Sequence, residues 1–196
     1  MSKRLPADKR KRVIIRSAIQ VFAETNYRVA KVSEIAKLSG VTEPIVYKHF
    51  DSKEDLFAEV LRKMGEKTLI LFNSYRNEAS GSTKEVLTYI IKTYLKSLNK
   101  YEKELQIFYQ AISEIHIAKI KAVLLDCYES YANFIYDVIH DKEDGEERDI
   151  EYHDVSWEVI GFLIHLSTLY ILQFYNEERA FEMCEKFVDK LDIKQG

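Results

Sequence analysis

Apolar positions in the first third of the chain fall at helical spacing and predict a cluster of short helices leading into a long one. From Ala7 to Thr25, Ile15, Ala18, Ile19 and Phe22 recur at i, i+3, i+4 and i+7, which marks an amphipathic helix of about five turns. Val32, Ile35 and Ala36 form the stripe of a second, short helix that ends at Gly40, a residue free to take the positive φ of a helix C-terminus. Thr42 then stands where its side chain can cap the next helix. Pro44 falls in that helix's first turn, where a missing N–H breaks no intrahelical bond. Val46 and Phe50, at i and i+4, give this third helix one buried stripe and leave Glu43, Ile45, Tyr47, Lys48 and His49 on its other face. Ser52 with Asp55 fits a capping box that opens a fourth helix at Lys53.

The pattern stays helical downstream. Stripes recur at Leu56, Val60, Leu61 and Met64, at Val86, Tyr89, Ile90 and Leu95, at Ile107, Ala111 and Ile115, and from Val123 to Val138. Turn signals at 80–82 and near Lys100 separate the early ones, and Ser82 with Glu85 forms a second capping box. Residues Asp141 to Asp154 hold eight acids against Lys142 and Arg148 and read as an exposed loop. After it, Trp157 to Tyr175 is apolar on nearly every face, and Glu177 to Leu191 returns to an amphipathic pattern.

Six Gly and two Pro in 196 residues fit an all-α protein, with residues 1–52 as an N-terminal three-helix domain and 53–196 as a larger helical domain. Cys127 and Cys184 sit at apolar-periodic positions and read as reduced thiols. The basic start lacks the apolar core of a signal peptide, and the longest apolar stretch, Val159 to Leu172, is too short to span a bilayer. A cytoplasmic protein without a membrane partner is expected.

Charge is divided unevenly between the two parts. Residues 1–56 hold twelve Lys or Arg against seven Asp or Glu, whereas residues 57–196 hold seventeen against twenty-five, so a basic head precedes an acidic body. Phosphates attract the first and are repelled by the second. With helix, turn and helix inside the basic head, the pattern is that of a helix-turn-helix DNA-binding unit. Arg10, Lys11 and Arg12 either form a flexible arm toward a minor groove or solvate the start of the first helix.

From Ile15 to Leu56 the residues Ala18, Phe22, Tyr27, Ile35, Ala36, Gly40, Val41, Tyr47, Phe50, Ser52, Lys53, Glu54 and Leu56 resemble the TetR family of bacterial transcription regulators. The family usually has Gly where Asn26 stands, Thr where Ala30 and Lys31 stand, and often Gly at Pro44. The lost Thr leaves Lys31, Ser33 or backbone amides to meet a phosphate. The other 140 or so residues match only in length and helical character.

The resemblance implies that the third helix enters the major groove. Glu43 suits a cytosine amino group, Lys48 a guanine, and Pro44 and Ile45 a thymine methyl. Tyr47 and His49 suit phosphates, with Thr42 beside them, and Lys53 adds charge at a helix N-terminus. It also implies a ligand cavity in the body, with Phe72, Tyr75, Tyr94, Phe108, Tyr109, Tyr131 and Phe134 as lining for a flat or apolar small-molecule effector. The body holds eleven of the thirteen Tyr.

A helix that is apolar all round needs cover on both sides, which a second copy of the chain supplies. Phe162, Leu166, Leu169 and Gln173, with Phe181, Cys184 and Val188 of the following helix, are the expected seam of a four-helix homodimer interface. A dimer of helix-turn-helix units reads a palindromic operator in double-stranded DNA. The function expected is a regulator, in this family most often a repressor, released from its operator by an effector. The rival is a DNA-bound adaptor controlled by a protein partner. No nucleophile elbow, phosphate-binding glycine loop or metal-ligand cluster is present in the sequence, so neither enzymatic activity, cofactor nor metal is expected.

Overall fold

The computed structural model describes residues 6–140 and 150–193, and the described residues are helical throughout, without a strand. In order they form α1 (Ala7–Thr25), α2 (Val32–Leu38), α3 (Glu43–Tyr47), α4 (Lys53–Glu78), α5 (Thr83–Ser97), a 3-10 turn (Leu98–Tyr101), α6 (Glu102–Ser113), α7 (Ala118–Ile139), α8 (Ile150–Ile171) and α9 (Glu177–Lys190). The fold class is therefore the all-α one expected, with α1 and the start of α4 at the predicted residues.

Two compact units result. The first comprises Met1–Gly65 and Lys103–Leu125, the second Glu66–Glu102 and Asp126–Gly196. Packing thus draws a different line from the boundary expected at residue 52. The first turns of α4 and the α6–α7 corner belong with the three N-terminal helices.

In the first unit the core is Ile14, Ala18, Phe22, Ile35, Leu56, Phe57, Leu61, Ile107 and Ile120, none more than 1% exposed. Phe57 sits edge-on to Phe22, centroids 4.8 Å apart, and 4.7 Å from Tyr27, so three rings lock α1, the following turn and α4 together. Arg10, Lys11 and Arg12 lie inside α1, which corrects the flexible-arm expectation: Lys11 pairs with Glu59 at 2.9 Å, and its ammonium also stands 5.4 Å from the Phe50 ring.

In the second unit α5 packs against α9 and α8. Ser82 and Glu85 make the predicted capping box. The buried face of α5 is Leu87, Ile90, Ile91 and Leu95. Tyr89, assigned to that face from the sequence, lies outward at its edge with its hydroxyl on Glu78.

The expected loop runs too far. Residues 141–149 lie outside the described ones, but 150–154 already belong to α8. That helix ends at Ile171 and not near Tyr175, because Gln173 takes φ 56 and the amides of Gln173 and Phe174 turn back to the carbonyls of Tyr170 and Leu169. This is a left-handed C-terminus built without glycine, hence its invisibility in the sequence.

Both cysteines are free and buried, as expected, and burial pushes the Cys184 thiol up to about 12. No helix among the described residues is long and apolar enough to cross a membrane.

Candidate nucleic-acid interface

The short helix α3 is held by features on both sides of it. At the end of α2, Gly40 takes φ +66, its N–H bonds the Lys37 carbonyl at 3.2 Å, and the Val41 N–H reaches the Ala36 carbonyl at 3.0 Å. This paired closure stops α2 and turns the chain sharply toward α3. Thr42 is the N-cap of α3, yet its side chain makes no capping bond, a departure from the expectation. Its carbonyl accepts from Ile45 and Val46 instead. Pro44 stands in the first turn as expected.

Five residues make a helix too short to persist alone. Val46 and Phe50, 1% and 2% exposed, pin α3 to the core and orient the rest of it. Thr42, Pro44, Tyr47 and Lys48 are consequently exposed, and Glu43, Ile45 and His49 are half-buried at the margins of the same face. Lys31 and Ser33 are exposed at the start of α2, where Lys31 is an N-cap without a side-chain bond.

Lys53 differs from its expected role. Its Nζ donates inward to the carbonyls of Arg28 at 3.3 Å and Ala30 at 3.2 Å, and it lies 4.8 Å from the Tyr27 ring centroid. Two of its three N–H donors are thus turned away from any phosphate.

Ser52 caps α4 by accepting from the Asp55 amide at 3.1 Å, and the Asp55 carboxylate returns to the Asp51 amide at 3.3 Å. Glu54 accepts from its own amide and from Ser52, which hold its carboxyl below the usual range, and it also takes the Tyr27 hydroxyl. Burial first, then the Glu54 charge, raise the Tyr27 hydroxyl well above its ordinary value, so the proton stays on Tyr27.

The turn between α1 and α2 carries the next surprise. Asn26 has φ 116, a conformation that favours glycine, and partly compensates by accepting the Val29 amide on Oδ1 at 3.1 Å. Far along the chain, Gln110 bonds both Tyr27 and Phe22, Glu114 holds Arg28, and Lys119 holds Asp55. Sequence reasoning found none of these supports. The only signal available was a polar set on an otherwise apolar helical stretch.

Of the aromatic residues expected to line a cavity, Phe72 meets Tyr94, Tyr131 and Phe134 with centroids 5.8, 5.9 and 5.4 Å away. Tyr75 is buried in the same unit. Phe108 and Tyr109 belong to the first unit. Tyr94 and Ser167 share a hydrogen bond of 2.8 Å. The Tyr131 hydroxyl is enclosed without a hydrogen-bond partner of ordinary geometry, with Thr68 as a polar neighbour, and burial raises its pKa.

The seam also needs correction. Leu166, Cys184 and Val188 are at most 1% exposed within a single chain, so they are core and cannot meet a second copy. Phe162 stacks on Phe187 at 4.1 Å, Leu169 is half-buried, Gln173 lies in the turn past the end of α8, and Phe181 lies under Lys92 and Lys96. From Trp157 onward the exposed residues of α8 are Trp157, Glu158, Gly161, Ile164 and His165, with Thr168 half-buried. A helix apolar on all sides gives no phase from which its free face can be read.

No group of three or more His, Cys, Asp or Glu among the described residues is placed to hold a metal ion.

Residues 14–60 match the family model of bacterial regulatory proteins, tetR family. Over 60 residues the chain is 40% identical to the HTH-type transcriptional activator FasR of Mycolicibacterium smegmatis, covering 31% of this chain and 27% of that protein. Over 86 residues it is 33% identical to the fatty acid metabolism regulator protein of Bacillus subtilis, covering 43% of each. The matched stretches therefore span less than half the length of these curated relatives. The fold is similar to the crystal structure of the transcriptional regulator FadR from Bacillus subtilis in complex with stearoyl-CoA, with a TM-score of 0.70 at 20% identity, over 91% of this chain and 97% of that one. The likeness to the TetR family thus rests on the helix-turn-helix that residues 14–60 build, and the solved structures extend it to the fold alone.

Proposed function

We propose that this chain is a transcription regulator, a repressor in the first instance, that binds a palindromic operator in double-stranded DNA as a homodimer and is released by a small apolar effector. The observation that carries this reading is the orientation of α3. Val46 and Phe50 are buried beneath it, and Thr42, Pro44, Tyr47 and Lys48 stand out together on the basic part of the chain. That face offers hydroxyl and ammonium groups to phosphates and base edges, and apolar carbon to thymine methyls. Thr42, with no capping bond to make, keeps its hydroxyl available for a phosphate.

Reading a palindrome needs two copies related by a twofold axis. The open face of α8, with Trp157 and Ile164 each 38% exposed and Gly161 between them, supplies the surface for a second copy. At Gly161 an added Cβ would meet nothing within 4 Å, so a partner helix could approach closely there.

The effector reading is supported by the aromatic cluster around Phe72 and by the relatives. One is named a fatty acid metabolism regulator, and a FadR of the same fold was crystallised with stearoyl-CoA. A fatty acyl thioester is the first candidate. Exposed Leu172 and Phe174, at 67% and 72%, favour the adaptor reading as the second, since they offer an apolar contact to a protein partner. Either activity belongs in the cytoplasm, where the operator is.

The test is selection of a duplex from random-sequence DNA by the wild-type protein, footprinting of the product, and titration of the complex with stearoyl-CoA. A palindromic footprint lost in Tyr47→Ala and released by the thioester is the expected result. Equal, weak binding to all sequences would overturn the DNA reading. A palindrome that no acyl thioester releases would shift the regulation toward a protein partner.

A further inference from the structure

The end of α1 is finished by a side chain more than eighty residues away. Phe22 lies in the last turn of α1, where carbonyls run out of intrahelical partners. Gln110 of α6 donates from Nε2 to that carbonyl at 3.1 Å, and its Oε1 accepts the backbone N–H of Tyr27 at 3.2 Å. A glutamine supplies donor and acceptor at once; glutamate and leucine do not. One turn further on, the Glu114 carboxylate, 4% exposed, takes Arg28 Nε at 2.6 Å. Both ties close on the turn from Asn26 to Ala30. The same turn offers the Arg28 and Ala30 carbonyls to Lys53 and leads into Lys31, the N-cap of α2.

We propose that Gln110 and Glu114 are positioning residues for DNA binding: they seat the turn after α1, and through it fix α2 and α3 in the attitude that α3 needs to enter the groove. The inference rests on the DNA-binding reading above. Neither residue stands on the exposed face of α3. Gln110 is half-buried and Glu114 buried, and each acts through backbone or side-chain groups of the head.

Removing a group that touches DNA and removing one that seats the reader have different signatures. Loss of a phosphate contact lowers the dependence of affinity on salt by about one unit of slope. Loss of a seat leaves every contact in the bound complex intact and lowers only the fraction of protein ready to bind, so affinity falls with the slope unchanged.

The experiment uses the full chain and the duplex that wild-type protein selects from random-sequence DNA. Gln110→Ala is expected to raise Kd about tenfold, from the loss of two hydrogen bonds that hold one turn, with unchanged salt slope and unchanged oligomeric mass. Glu114→Gln keeps an acceptor for Arg28 and is expected to lose less affinity than Glu114→Ala. Wild-type affinity in Gln110→Ala would overturn the proposal, and so would a loss fully accounted for by unfolded protein in a melting curve at the assay temperature. If Gln110→Ala does not fold, the Glu114→Gln and Glu114→Ala pair decides by the same readouts. Tyr47→Ala separates the two readings. If wild-type protein selects no sequence, the DNA reading falls and takes this one with it. If wild type selects and Tyr47→Ala does not bind, unaltered binding by the Gln110 and Glu114 variants defeats the positioning role alone.

Discussion

Replacing Lys53 by Met separates an inward strap from an outward DNA contact. Methionine keeps the apolar stem of the lysine and removes its ammonium, which in the native fold bonds Arg28 and Ala30 carbonyls at 3.3 and 3.2 Å and lies 4.8 Å from the Tyr27 centroid. Hydrogen bonds of this length, partly open to water, contribute about 0.5–1 kcal/mol each, below the usual figure for a buried charged donor. The cation over the ring adds about 0.5–1 kcal/mol. The freed carbonyls can be rehydrated in part, so the net loss is about 2 kcal/mol, or roughly 4–8 °C in melting temperature for a chain of this size. Thermal unfolding followed by circular dichroism measures the stability, and DNA titration at several salt concentrations measures the contact. A melting temperature equal to wild type, with the salt slope reduced by about one, would refute the strap and make Lys53 a phosphate ligand.

Two further outcomes follow from the ion pair and the α8 face. Asp55 accepts from Lys119 at 2.7 Å, and that bond holds its carboxyl below the usual value. Because the folded pKa is depressed, the stabilisation is complete above the unfolded value of about 3.9 and disappears as pH falls through the folded one, so the melting temperature of Asp55→Asn should approach wild type as pH drops below about 4. A constant difference from pH 7 down to acid unfolding would contradict that assignment. On α8, Ile164→Asp should give a folded monomer in sedimentation, whereas Leu166→Ala, emptying a site that is 0% exposed, should lower stability by about 2–4 kcal/mol and leave the dimer mass unchanged. The reverse pattern would restore Leu166 to the seam.

Local chemistry was legible in the sequence wherever a residue acts on its near neighbours. Gly40 announced the end of α2, Pro44 the first turn of α3, and Ser52 the start of α4, and all three do so in the structure. Val46 and Phe50 gave the phase of α3, and with it the face left exposed, because two buried anchors at i and i+4 suffice to orient five residues. What escaped depends on distance or on symmetry of pattern. Gln110, Glu114 and Lys119 act across sixty to ninety positions, and nothing local marks a polar residue as a support. The α8 face escaped because apolar residues on every side give a helix no readable phase. Gln173 escaped because its left-handed backbone is usually glycine's.

The ring cluster of Phe22, Tyr27 and Phe57 bears on how such a chain can be recombined. A crossover at residue 52, the boundary expected from the sequence, would carry Phe22 and Tyr27 into a chimera and leave behind Phe57, which packs against both. It would also strand the α1 terminus without Gln110. The transplantable piece is therefore discontinuous, Met1–Gly65 with Lys103–Leu125, and no single cut excises it. On the proposed reading, a new DNA specificity is better introduced by exchanging the exposed positions of α3 alone, with its anchors Val46 and Phe50 kept, than by swapping whole heads between relatives.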